Sequence, residues 1–126
     1  MKRFWLGVGF LAVLLAAGIG LSIGITAVHS GLARDLDNAS EAVQKGDWET
    51  AVTLAESAKT SWMRCRRFVA SFVDHEPLEQ MDSLFSELEI YRNQQLPTDY
   101  AAVCTHLSHL SEAIGESHAL TWWNLL

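Results

Sequence analysis

The chain has 126 residues, a formal net charge of −6 and only two prolines, Pro77 and Pro97. Its length allows one small domain beside an apolar N-terminal segment, and the acidic excess argues against nucleic acid as a partner. After residue 31 the glycines are only Gly46 and Gly115. So few breakers predict long helices joined by short turns.

The N-terminal segment is long enough to cross a membrane. Lys2 and Arg3 precede residues 4–28, which contain no charged side chain, and a bilayer core needs about 20 apolar residues. A cleaved signal peptide is the alternative, but its apolar region is typically about 7–15 residues, and the only cleavage site, after Ala27, is poor. We therefore predict a transmembrane anchor over residues 1–30.

The basic residues around this segment indicate its orientation. Lys2 and Arg3 lie on one side, whereas Arg34 and Lys45 on the other are diluted by acidic neighbours. Because basic residues favour the cytoplasmic side, we expect a single-pass protein of the cell membrane. Its N-terminus is then cytoplasmic, and residues 31–126 form an extracytoplasmic domain.

Small residues recur every four positions within the span, at Ala12, Ala16, Gly20 and Gly24. This spacing places them on one helix face, and small-xxx-small patterns allow two membrane helices to approach closely. The alternative is that alanine and glycine are simply common in membrane helices. The pattern predicts a helix-packing face.

Apolar stripes at helical spacing predict the first two helices of the domain. The first continues the span outward and ends at Lys45 and Gly46, a cation and a glycine suited to a helix C-terminus. Asp47 suits the N-cap of the second. The stripes are Leu32, Leu36, Ala39 and Val43, and then Ala51, Ala55, Ala58, Trp62, Cys65, Val69 and Phe72.

Two further helices complete the predicted fold. Pro77 suits the first turn of the third, and residues 96–99 form the next turn. Their stripes are Met81, Leu84, Phe85, Leu88 and Tyr91, and then Tyr100, Val103, Leu107, Leu110 and Ile114. The fold class is all-α: one transmembrane helix extended into a small antiparallel bundle of about four helices. Trp122 and Trp123 then lie near the lipid headgroups or plug the bundle end.

Several short motifs resemble those of the DUF4363 family of short single-pass bacterial membrane proteins of unknown function. They are the turn at residues 46–51, Trp62 followed by the basic residues 64–67, residues 74–76, and Leu125 after Asn124. The resemblance implies an extracytoplasmic helical domain without an assigned activity, and it makes a membrane partner reasonable.

No motif indicates catalysis or a cofactor. His106, His109 and Glu112 are spaced by three on the fourth helix, a spacing that can build metal sites in bundles. However, the stripe places His109 and Glu112 outward, which favours a solvated face. No nucleophile pair or phosphate loop is present, so we expect a protein that is not an enzyme.

Two cysteines and three arginines leave alternatives open. Cys65 and Cys104 fall at similar heights, so a disulfide is conceivable in an oxidising compartment, with two buried thiols as the alternative. Arg64, Arg66 and Arg67 pair with acidic residues of the third helix, namely Glu79, Asp82 or Glu87, or instead meet anionic lipid headgroups.

The sequence therefore predicts a membrane-anchored interaction or accessory protein. Its partner is another integral membrane protein or a second copy of the chain, with no nucleic acid. The alternative is an extracytoplasmic sensor or ligand-binding module with a cleft lined by Trp48, Trp62 and Tyr100. A metal-dependent enzyme using His106 and His109 is the remaining hypothesis.

Overall fold

The computed structural model describes the backbone of residues 1–71 and 73–125; the side chains of residues 22, 25, 26 and 118–125 lie outside the described part. Four α-helices follow one another in this part. They are α1 (Lys2–Gln44), α2 (Trp48–Val69), α3 (His75–Asn93) and α4 (Pro97–Leu125). The predicted all-α class, with an N-terminal apolar helix that continues into a helical bundle, is confirmed.

Helix α1 is continuous but has two different surroundings. Lys2–Leu21 is the one helical segment in the described residues that is long and apolar enough to cross a membrane, and none of it is buried. Twenty residues of helix rise about 30 Å, which matches a bilayer core. From His29 onward the helix carries the buried stripe of Leu32, Leu36 and Ala39.

The turn between α1 and α2 has the predicted glycine at the end of α1 and the predicted aspartate N-cap of α2. Gly46 has φ +81°, its N–H donates to the Val43 carbonyl, and the Asp47 N–H donates to the Ala42 carbonyl. These bonds form a Schellman motif, which favours glycine at the left-handed position. The Asp47 carboxylate then accepts from the Thr50 N–H at 3.2 Å, and hydrogen bonding from the Thr50 hydroxyl and then from its N–H lowers the pKa of Asp47.

The other two turns differ in detail from the predictions. Helix α2 ends at Val69, before Phe72, which lies outside the described residues. Pro77 is in the first turn of α3, as predicted. Helix α4 begins at Pro97 itself rather than after the predicted turn of residues 96–99. Proline fits there because its fixed φ suits a helix start and no N–H partner is needed.

The helices are antiparallel neighbours. Helix α1 packs on both α2 and α4, and α3 packs on α4. Ion pairs join α2 to α3, including Lys59–Glu89 and Arg92–Glu56. The core contains most of the predicted stripes and also Leu78, which the stripes missed; its largest buried members are Trp62, Tyr100, Leu32, Leu36, Leu78, Met81 and Leu107.

Candidate interaction site at the base of the bundle

The small-residue face of α1 has no partner within the described part of the chain. Ala12, Ala16, Gly20 and Gly24 are all exposed. A Cβ placed on Gly20 or Gly24 would meet no atom within 4 Å. The face is therefore open to a helix from outside, as close approach between membrane helices requires.

The upper end of this face opens into a groove between α1 and α2. The groove encloses about 510 Å³, and its walls are almost wholly apolar. Its lining comprises Gly20, Leu21, Gly24, Val28, His29, Cys65, Phe68 and Val69. The exposed glycines and the end of α2 thus form one apolar surface, which begins on the apolar N-terminal half of α1 and reaches the base of the bundle.

A buried polar pair, His29 and Ser111, joins α1 to α4 beside the groove. His29 is 1% exposed and Ser111 of α4 is fully buried. The Ser111 hydroxyl donates to the His29 carbonyl at 3.2 Å, so its oxygen is left to accept from His29 Nδ1 at 3.3 Å. Gly115 allows this approach, because a Cβ there would lie 3.3 Å from the His29 Cβ.

The same histidine is connected to α3 through Trp62. The two rings lie 6.4 Å apart between centroids. Trp62 Nε1 donates to Asp82 Oδ1 at 2.8 Å, and Arg66 Nε donates to Asp82 Oδ2 at 2.6 Å. One carboxylate therefore satisfies a buried indole and pairs with a half-exposed arginine, which fixes the lower part of α2 against α3.

The three arginines of α2 have different surroundings. Arg66 takes the intramolecular pairing with Asp82, one of the contacts expected from the sequence. Arg64 and Arg67 are exposed, and neither forms an ion pair within the part of the chain that the structure describes. Two positive charges therefore remain at the lower end of an acidic bundle.

Both cysteines are free thiols in the structure, so the disulfide between Cys65 and Cys104 is not formed. The Cys65 thiol donates to the Trp62 carbonyl at 3.4 Å. Burial raises the pKa of both thiols, to about 12 for Cys104. Because the thiolate is the reactive form, neither cysteine is suited to nucleophilic chemistry.

The remaining predicted site residues lie apart. His106, His109 and Glu112 are exposed, and no cluster of three possible metal-ligating residues occurs among the described residues. The side chains of Trp122 and Trp123 lie outside the described residues.

The cleft expected between Trp48, Trp62 and Tyr100 is not formed. Trp48 packs on Tyr100 with ring centroids 4.8 Å apart. Trp62 lies 14 residues further along α2, which corresponds to about 21 Å. The first two residues are therefore at the top of the bundle, whereas Trp62 is near its base.

The sequence reasoning missed the polar residues that build the site, although a signal was present. His29 lies three positions before Leu32, on the stripe of α1. Ser111 lies four positions after Leu107 and three before Ile114, on the stripe of α4. A polar residue at a core position of each of two helices predicts a buried hydrogen-bonded pair, since buried polar groups require partners.

Comparison with known families gave one match. The family model described as "Domain of unknown function (DUF4363)" matches residues 23–125. The matched region begins near Gly24 and includes the whole bundle. Searches of curated proteins and of solved structures gave no match.

Proposed function

We propose that this chain, which belongs to the DUF4363 family, is a membrane-anchored accessory protein that binds an integral membrane partner and performs no catalysis itself. The observation that carries the proposal is the open small-residue face of α1, which continues without interruption into the apolar groove at the base of the bundle. A partner helix can follow this surface from the bilayer to the bundle.

The anchoring role rests on the exposed apolar helix Lys2–Leu21. In water such a surface would be unfavourable, because large exposed apolar patches promote association. Within lipid it is the expected composition. Lys2 and Arg3 favour a cytoplasmic N-terminus, and the acidic bundle is then extracytoplasmic.

Small residues suit this face for a physical reason. Lipid tails are as apolar as leucine, so membrane helices gain little from hydrophobic burial against one another. They associate where backbones approach closely and pack over a long length. Gly20 and Gly24 permit that approach, and the groove adds the side chains of Val28 and Phe68 above them.

The test is replacement of Gly20 and Gly24 by leucine, followed by crosslinking in the native membrane and quantification of the crosslinked partner. We expect recovery of the partner to fall about tenfold or more, which corresponds to about 1.4 kcal/mol. A crosslink to a second copy identifies self-association. Gly7→Leu is the matched control, because Gly7 lies about 140° around the helix from Gly20. Unchanged recovery in the double variant leaves the span as an anchor only.

A small-ligand module is the second candidate, and it now rests on a hollow at the top of the bundle. This hollow encloses about 410 Å³ and is lined by Val43, Gly46, Trp48, Gln95 and Pro97. Native mass spectrometry of the purified chain separates the two functions. A small-molecule adduct that is lost in Trp48→Ala and retained in Gly20→Leu favours the ligand module.

A further inference from the structure

The lower end of α2 presents exposed apolar and cationic side chains beside the groove, which Phe68 also lines. Met63 is 67% exposed and Phe68 is 40% exposed, and the exposed Arg64 and Arg67 alternate with them. Residues at spacings of three and four share a helix face. Arg64 and Phe68 are therefore neighbours, as are Met63 and Arg67, so apolar and cationic groups are interleaved.

The height of this surface above the bilayer follows from the helix register. Trp62 lies level with His29, since their rings are in contact. The uncharged segment begins at Phe4, and about 20 residues fill the bilayer core, so the core ends near Ile23. His29 lies six residues beyond Ile23, which is about 9 Å. Because α2 descends by about 1.5 Å per residue, Arg64 is about 6 Å and Arg67 about 1.5 Å above that boundary.

That interval is the lipid headgroup layer. A bilayer about 40–45 Å thick with a core of about 30 Å leaves roughly 5–8 Å of headgroups on each side. Arg67 lies within this layer. Arg64 lies at its outer edge, where its long side chain can extend towards phosphate while its methylenes remain on apolar surface.

The charge distribution favours an anionic partner at this position. Arg66 is already paired with Asp82, whereas Arg64 and Arg67 form no ion pair with any described residue. The chain as a whole is acidic, so a negatively charged membrane surface would repel the bundle. Two cations at headgroup height offset this repulsion where the bundle meets the lipid.

We infer that Met63, Arg64 and Arg67 form a lipid-docking surface, in which the two guanidinium groups bind the phosphates of anionic phospholipids and the Met63 side chain rests between headgroups. The inference relies on the membrane anchoring proposed above but not on the partner helix. It assigns to α2 a role in holding the bundle against the membrane surface.

The test reconstitutes the full chain into vesicles of equal parts phosphatidylglycerol and phosphatidylcholine. Protein extracted in mild detergent is then examined by native mass spectrometry for the ratio of the two bound lipids. We expect enrichment of phosphatidylglycerol that falls with salt. In Arg64→Gln/Arg67→Gln the enrichment should fall by up to about 30-fold, because each cation near an anionic surface contributes about fivefold.

The matched control is Arg34→Gln/Lys45→Gln. It removes the same charge from positions about 17 and 33 Å above the boundary, and enrichment should be retained. Both double variants should keep their melting temperatures, because the four side chains are exposed. No enrichment in the original chain, or an equal fall in the control, overturns the inference alone. A chain that is not retained by the vesicles overturns both the inference and the anchoring.

Discussion

The two regions of α1 share one continuous helical backbone, but their side chains and surroundings differ. In Lys2–Leu21 the side chains after Arg3 are apolar all round, and none is buried by the rest of the chain. In residues 29–44 only a stripe is apolar, and it is buried between α2 and α4. The difference shows that hydrophobicity alone does not identify a protein core. In the proposed anchoring, the first region takes its surroundings from lipid, whereas the second region builds its own by folding.

The most direct test of this comparison is to make the same substitution in both regions. Leu36→Ala removes a side chain that is 0% exposed, and Leu14→Ala removes one that is 53% exposed. We expect Leu36→Ala to lower the free energy of unfolding of the bundle by about 2–5 kcal/mol, because it leaves a cavity. Leu14→Ala should change it by less than about 0.5 kcal/mol.

Urea unfolding of the full chain in nanodiscs, followed by circular dichroism, measures both variants. The helical signal of the span persists in lipid, so the transition reports on the bundle. Equal destabilisation by the two substitutions would show that both regions of α1 fold as one cooperative unit.

The second prediction concerns the polar contact at the junction of the two regions. Ser111→Ala removes the hydroxyl that bonds both the carbonyl and Nδ1 of His29. Leaving buried polar groups without that partner should cost about 1–3 kcal/mol in the same measurement. Ser86→Ala removes an exposed hydroxyl and should be nearly neutral. A neutral Ser111→Ala would mean that water replaces the hydroxyl.

The third prediction uses pH to test whether the packed region around Cys104 excludes water. Burial raises the pKa of the Cys104 thiol from 9.0 to about 12. Its neutral form is therefore favoured by folding, so the contribution to stability is complete below pH 9 and is lost as pH rises from 9 towards 12. Because Tyr100 also has a raised pKa, the difference between the original chain and Cys104→Ala isolates the thiol. We expect that difference in unfolding free energy to shrink by about 1 kcal/mol between pH 9 and 10. A constant difference would show a hydrated site.

The sequence was sufficient to predict the fold class, the four helices and most of the core. Those predictions rest on periodic stripes such as Leu32, Leu36 and Ala39, where burial and spacing coincide. It was not sufficient for the groove, because a groove depends on where two helices diverge. Nor did it separate Arg66 from Arg64 and Arg67, since only the position of Asp82 on α3 decides which arginine is paired.

Local backbone chemistry shows the same limit at the ends of two helices. Gly46 at φ +81° ends α1, and glycine is the residue that this conformation favours, so its role was predictable. Gln95 ends α3 at φ 54°. Its N–H donates to the Arg92 carbonyl and the Leu96 N–H donates to the Tyr91 carbonyl, which is again the Schellman pattern. Glutamine carries no signal for a left-handed turn, so the sequence predicts the turn at residues 96–99 instead.

The smallest predicted effects come from adding a Cβ at Gly46 and removing the Cβ at Gln95. Gly46→Ala should lower the unfolding free energy of the bundle by about 1 kcal/mol, because a Cβ is disfavoured at positive φ. Gln95→Gly should raise it by about 0.5–1 kcal/mol, because the same strain is relieved, less the added freedom of the unfolded chain. Thermal melts of both variants in nanodiscs give the two signs. Since a Cβ at Gly46 would meet no atom within 4 Å, any loss there reflects backbone strain rather than a clash. Opposite signs would therefore show that the left-handed glycine at the end of α1 stabilises the bundle. They would also show that the left-handed glutamine at the end of α3 is less favourable there than glycine.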